Sequence, residues 1–306
     1  MKKRKITTYL VFAFALAWII WGILALLGVD LGSKLAGIVL PISMFAPTVA
    51  VLITKLFNRE TRIMGTSFKP KFRGHIRWYL IAWLLPIALV FIGEFLSYCV
   101  FPDSFDAKTE ALRSSFALVF PGSTITSGAL LSFAFVNMLL VMTANVIVGM
   151  LLTFGEEVGW RGFLFPEVRS RTTEVKSHII CGTIWGLWHA PVIAMGYNFG
   201  IGYWGFPWLG ILVLCPLSVS MGIFLSHLTR KSGSIWPAVL AHSAVNTVSG
   251  VLYAVFLRKD YSASANTTFI SYVIRYVIPY LLFGIPLLIV LAQKNKGKYN
   301  SLAGTE

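Results

Sequence analysis

Long apolar runs alternate with short polar segments along the whole chain. Eight runs reach 18 residues or more, near positions 7–28, 35–56, 78–101, 138–166, 177–197, 203–228, 234–256 and 268–293. About 20 helical residues at ~1.5 Å each span the ~30 Å hydrocarbon core of a bilayer. The pattern therefore predicts an all-α, polytopic integral membrane protein with about eight transmembrane helices. The first run exceeds a signal-peptide core and lacks a small-residue cleavage site, so it reads as a retained span. No composition break or internal repeat divides the 306 residues, and a single membrane domain over 1–306 is expected.

Composition agrees: 57% of residues are hydrophobic and 12% charged, against about 25% charged in soluble domains. The net charge of +14 raises the question of nucleic acid. Its distribution answers it. Counting alternate loops, twenty of the 26 Lys and Arg fall on one side: the N-terminus, the 55–77 loop with seven of them, the 161–176 stretch, Arg230 and Lys231, and the tail. Lys34, Lys108, Arg113, Arg258 and Lys259 fall on the other, and Arg275 lies within a run. Such a bias marks the cytoplasmic side and predicts a multi-pass cell-membrane protein with both termini cytoplasmic. Attraction to anionic lipid follows from it. No nucleic-acid partner is expected, because no binding motif accompanies the charge. The three cysteines, Cys99, Cys181 and Cys215, are scattered through apolar runs and read as small buried hydrophobes.

Against this background a few ionisable side chains stand out, since a charge at the bilayer centre costs ~2.5–3.5 kcal/mol and points to function by default. They are Glu94, Glu156, Glu157, Arg161, His189, His242 and Arg275. Counted from the cytoplasmic ends of their runs, Glu156, His189 and His242 lie about 15, 18 and 12 Å deep, with Asn246 one turn beyond His242. Residues four apart share a helix face. Glu157 and Arg161 can pair, Trp185 and His189 point together, and so do His242 and Asn246. Glu156 sits ~100° around the helix from Glu157 and is free to face elsewhere. Pro191 should kink the helix beside His189 by blocking the hydrogen bond to the Leu187 carbonyl. Glu94 and Arg275 lie on the far side, each about 10 Å deep, where they are expected to pair with each other or with nearby polar groups.

This set admits two chemistries. A carboxylate and a histidine can hold and deprotonate water, while a second histidine and an asparagine donate to an oxyanion. Alternatively Glu156, His189 and His242 are three ligands of an open zinc site. A bland reading, hydrogen bonds between helices, fits either histidine alone better than it fits the whole set. A proton-coupled transporter uses similar residues, but the paired half-chain symmetry and matching broken helices are missing.

The ordered motifs Glu156-Glu157-x-x-x-Arg161, Trp185-x-x-x-His189 and His242-x-x-x-Asn246 resemble those of the CPBP family. This family comprises the CAAX prenyl endopeptidases and the bacteriocin-processing or immunity proteins, also called Abi. Trp185 departs from the usual Phe and keeps an aromatic residue there. The resemblance implies an intramembrane endopeptidase with a motif-bearing core near 138–256. Glu156 and His189 would activate water, and His242 and Asn246 would form the oxyanion site. Glu157, Arg161 and Trp185 would support the structure. It favours a metal-free, glutamate-dependent mechanism with no cofactor, zinc being the alternative. It also implies a membrane-associated peptide or protein substrate, prenylated or bacteriocin-related. A non-catalytic immunity or scaffold role is the alternative within the family. The Lys/Arg bias and small size point to a bacterial chain.

Overall fold

The computed structural model describes residues 2–58 and 67–303. Arg59 and Arg62 of the basic 55–77 loop lie outside them. The chain is almost entirely helical: α1 (Lys2–Leu26), α2 (Lys34–Ser43), α3 (Ala46–Phe57), α4 (Ile76–Val100), α5 (Glu110–Val119), α6 (Ser127–Leu140), α7 (Val146–Gly159), α8 (Phe165–Arg169), α9 (Glu174–Trp188), α10 (Ala190–Ala194), α11 (Trp208–Ser232), α12 (Trp236–Val248), α13 (Val251–Phe256), α14 (Ala265–Tyr272) and α15 (Ile278–Ala303). Among the described residues the only β pairing is two isolated bridges, Ser67 with Ser234 and Phe105 with Leu257.

Seven helices among the described residues are long and apolar enough to cross a membrane: Arg4–Leu26, Lys34–Phe57, Ile76–Val100, Ser127–Arg169, Trp208–Ser232, Trp236–Phe256 and Ala265–Gln293. This is a multi-pass, all-α membrane protein. Seven of the eight expected runs appear in this set. The run at 177–197 differs, being broken into α9 and the short α10, with His189 at the junction. Pro191 sits in the first turn of α10, as a residue without an N–H does most readily. The carbonyl of Trp188, freed by the break, accepts from the indole Nε1 of Trp18 on α1 at 2.9 Å. Trp188 Nε1 donates in turn to the Ala13 carbonyl at 2.9 Å. The break is thus satisfied by the N-terminal helix.

Among the described residues three π-helical turns interrupt the long helices, at Val141–Asn145, Trp160–Leu164 and Val273–Val277. The second and third are each followed, two residues on, by a proline, Pro166 or Pro279. Lacking an N–H, the proline cannot close the usual bond four residues back, and the wider turn accommodates the register change. The second turn follows directly on Glu156 and Glu157.

Close helix approach comes from small residues. A Cβ on Gly182 or Gly186 of α9 would meet the α11 backbone at Val219 or Cys215. Gly155 and Gly159 of α7 likewise face the α2–α3 junction, at Phe45 and Pro47. These pairs four apart let backbones pack without side chains between them. The main core gathers Tyr9, Trp21, Trp160, Phe163, Trp185, Trp188, Leu217 and Tyr280, all buried.

The segment 103–126 carries α5. Asp106 accepts from the backbone N–H groups of Glu110 and Lys108, which hold its carboxyl below the usual range. Glu94 accepts from the N–H groups of Gly250 at 2.5 Å and Tyr253 at 3.2 Å, capping α13. Arg275 does not meet it directly. The Tyr276 hydroxyl joins them, donating to Glu94 at 3.3 Å and accepting from Arg275 at 3.4 Å. The expectation of nearby polar partners therefore holds.

At the start of α9, the His178 ring, 3.9 Å away, and the Arg230 guanidinium both approach Glu174 Oε1. They hold its carboxyl down at about 2, against the effect of burial. A depressed carboxylate contributes stability above its unfolded pKa and loses it as pH falls through the folded value. Melting temperature should therefore drop on acidification from about pH 4.5 towards 2. Arg230→Ala should flatten that part of the profile; an unchanged profile would show that the contact contributes nothing.

Candidate functional site

Glu156, Trp185, His189, His242 and Asn246 line one cavity of about 550 Å³. Residues from α7, α9, the α9–α10 junction and α12 therefore converge, as depth counting predicted. Glu157 and Arg161 lie behind this wall.

The two adjacent glutamates have different partners. Glu157 Oε1 receives Arg161 Nη1 at 3.0 Å, the expected pair, with both side chains buried. The same oxygen also takes His242 Nδ1 at 2.8 Å, across 85 positions of sequence. Helix-face counting did not anticipate that second contact: Glu157 orients His242 as well as pairing with Arg161. With Nδ1 so engaged, Nε2 is the ring nitrogen left for the cavity.

Among the described residues no cation sits on Glu156. Its Oε2 accepts from two indoles, Trp160 Nε1 at 3.0 Å and Trp185 Nε1 at 2.8 Å. Oε1 is left for the cavity. Trp160 is four residues from Glu156, so the spacing that found Glu157–Arg161 also held this contact. Trp185 is more than a packing residue. Besides binding Glu156, it stacks under Arg161 at 4.3 Å and meets His242 edge-on at 5.3 Å. The tryptophan combines that ring contact with an N–H; a phenylalanine there could not donate.

His189 ends α9 with its Nδ1 2.9 Å from the Trp185 carbonyl. A carbonyl only accepts, so this hydrogen bond assigns the proton to Nδ1 and leaves the Nε2 lone pair for the cavity. The rings of Trp21 and Trp188 flank it, at 6.4 and 4.9 Å between centroids. Asn246, one turn beyond His242, is exposed to the cavity. Neither Trp18 nor Trp21 was picked out by sequence, because a tryptophan in an apolar run is not anomalous.

Trp185→Phe is expected to keep the ring contacts but lose one of the two donors that fix Glu156. A hydrogen bond to a charged group contributes ~1.5–3 kcal/mol, so any activity that depends on Glu156 should fall about tenfold or more, with the melting temperature little changed. Activity equal to wild type in this variant would remove the indole N–H from the site's function.

Residues 128–248 match the family of Rce1-like type II CAAX prenyl endopeptidases. A second similarity is to the protein called CAAX prenyl protease 2 from Methanococcus maripaludis, 31% identical over 93 residues. That stretch covers 30% of this chain and 34% of the relative, so the chain aligns with about a third of the curated protein. All three motifs fall inside the matched residues.

Proposed function

We propose that the protein is an intramembrane endopeptidase that hydrolyses a peptide bond of a membrane-associated substrate with an activated water. The observation that carries this reading is the convergence of Glu156, His189, His242 and Asn246 on one cavity, the first three each held from behind by a hydrogen bond. Water between Glu156 Oε1 and His189 Nε2 gives up a proton as its oxygen attacks the carbonyl carbon. The developing oxyanion takes hydrogen bonds from the Asn246 amide and from His242 Nε2. For that ring to donate at Nε2 it must carry both N–H groups, and Glu157 on Nδ1 is the counter-ion to that form. The tetrahedral intermediate collapses, the C–N bond breaks, and the proton taken from water passes to the leaving amine.

Zinc is the alternative use of the same residues. Among the described residues no three His, Cys, Asp or Glu side chains are gathered as a metal-binding set. Glu156 Oε2 and both Nδ1 atoms are already engaged. Those contacts leave Glu156 Oε1 and the two Nε2 atoms for a ligand, and a bond at Nδ1 is also how zinc-binding histidines are held, so the metal-free reading is favoured only because the three side chains are not gathered as a set; every step above runs on protein side chains. Retained activity after chelation, with sub-stoichiometric zinc by elemental analysis, is the expected result; loss of zinc together with activity would overturn it.

The names of the similar proteins favour a prenylated peptide as substrate, with a bacteriocin-related peptide as the runner-up. The Lys/Arg bias supports a bacterial cell-membrane protein with both termini, and the mouth of the site, on the cytoplasmic side. Peptides should be compared between membranes from cells carrying wild-type protein and cells carrying Glu156→Gln. Products present only with wild type would identify the substrate. Identical peptide sets would favour an immunity or scaffold role.

A further inference from the structure

Tyr272, Tyr276 and Tyr280, spaced four apart, line one wall of the catalytic cavity. They lie outside the stretch that carries the motifs. Tyr276 is committed to Glu94 and Arg275. Tyr280 differs: it is 1% exposed, and its hydroxyl has no hydrogen-bond partner among the described residues. Tyr9 Oη, Glu157 Oε2 and His178 Nδ1 are also buried without partners, but those residues do not line the cavity. Tyr280 does, in company with Glu156, His189 and His242.

An unpartnered buried hydroxyl is unfavourable, and Phe would fill the same space without it. Of the α11 residues that line the cavity, Leu214, Leu217 and Met221 are apolar, and Ser218 makes no hydrogen bond with the Tyr280 hydroxyl. The hydroxyl itself is covered, so a ligand that shifts the side chains over it is the natural source of an acceptor. A phenol is a neutral, directional donor. A lipid chain offers it nothing, whereas an extended peptide presents a carbonyl at every residue, about 3.4 Å apart.

We propose that Tyr280 is a substrate-binding residue whose hydroxyl donates a hydrogen bond to a backbone carbonyl of the peptide seated beside Glu156 and His189. Tyr280 would read the peptide part of the substrate and ignore any lipid attached to it. The inference rests on the endopeptidase reading above.

The test uses full-length protein in proteoliposomes and internally quenched peptides, with and without a farnesylated cysteine fourth from the C-terminus. Cleavage by wild type and none by Glu156→Gln establishes the endopeptidase reading independently. Tyr280→Phe should then lower kcat/KM about tenfold on cleaved probes, chiefly through KM. A loss carried by kcat also supports the contact, formed in the transition state. The melting temperature should be unchanged or higher. Wild-type kcat/KM in Tyr280→Phe overturns the inference and leaves the reading standing. A fall in melting temperature of more than about 3 °C assigns the hydroxyl to the fold and also overturns it. Absence of cleavage by wild type on every probe overturns both.

Discussion

Glu156→Gln is expected to abolish peptide cleavage, by about a thousandfold or more, in a protein that inserts and melts like wild type. The fold should survive because the amide oxygen can still accept from Trp160 and Trp185, the two donors that hold the carboxylate at 3.0 and 2.8 Å. No cation loses its counter-charge. What disappears is the basic oxygen facing the cavity, and positioned general bases contribute typically 10²–10⁴ in rate. Single-turnover assays on purified protein, beside a melting curve, give both answers. Substantial cleavage by this variant would remove Glu156 from the chemistry.

The neighbouring position should respond in the opposite way. Arg161→Ala is expected to destabilise the protein by about 3–5 kcal/mol, because it strands a buried charge. Glu157 and Arg161 are buried together, and only His242 Nδ1 would remain on the carboxylate. Glu157→Gln should cost a comparable amount by stranding Arg161, whose other support among the described residues is the Trp185 face. The neutral pair Glu157→Gln with Arg161→Gln should recover much of the loss, since no unpaired charge is buried. It should not recover activity in full, because His242 loses its counter-ion. Melting temperatures of the single and double variants decide this: a double loss equal to the sum of the two single losses would mean that the pair is not coupled.

The contrast between the two glutamates was partly legible from spacing alone. Counting faces separated Glu156 from Glu157 and put Arg161 on Glu157. Counting depth brought His189, His242 and Asn246 to the level of Glu156. Contacts between helices were out of reach. His242 on Glu157 depends on how α12 is rotated against α7, which no interval along one helix records. The same holds for Trp18, whose indole meets the end of α9 across 170 positions. Tyr280 was invisible for another reason: a tyrosine in an apolar helix becomes unusual only when its hydroxyl is found without a partner. Hydropathy reported 177–197 as one span because it averages over Pro191. The proline itself gave the correct signal for the break at His189.

The satisfaction of that break by α1 has a consequence for modularity. The stretch matching known endopeptidases, 128–248, holds the motif residues but not the whole of the room they face. Trp18 and Ala13 tie off α9 from one side of the sequence, and Tyr280 closes the cavity from the other. The motif-bearing segment is thus not a cassette. Grafted into a distant relative it would arrive with its reactive side chains but without the flanking helices that end α9 and wall the cavity. Chimaeras should work only where the donor's first and last helices travel with it, and the three motifs should drift among homologues in step with residues far outside them.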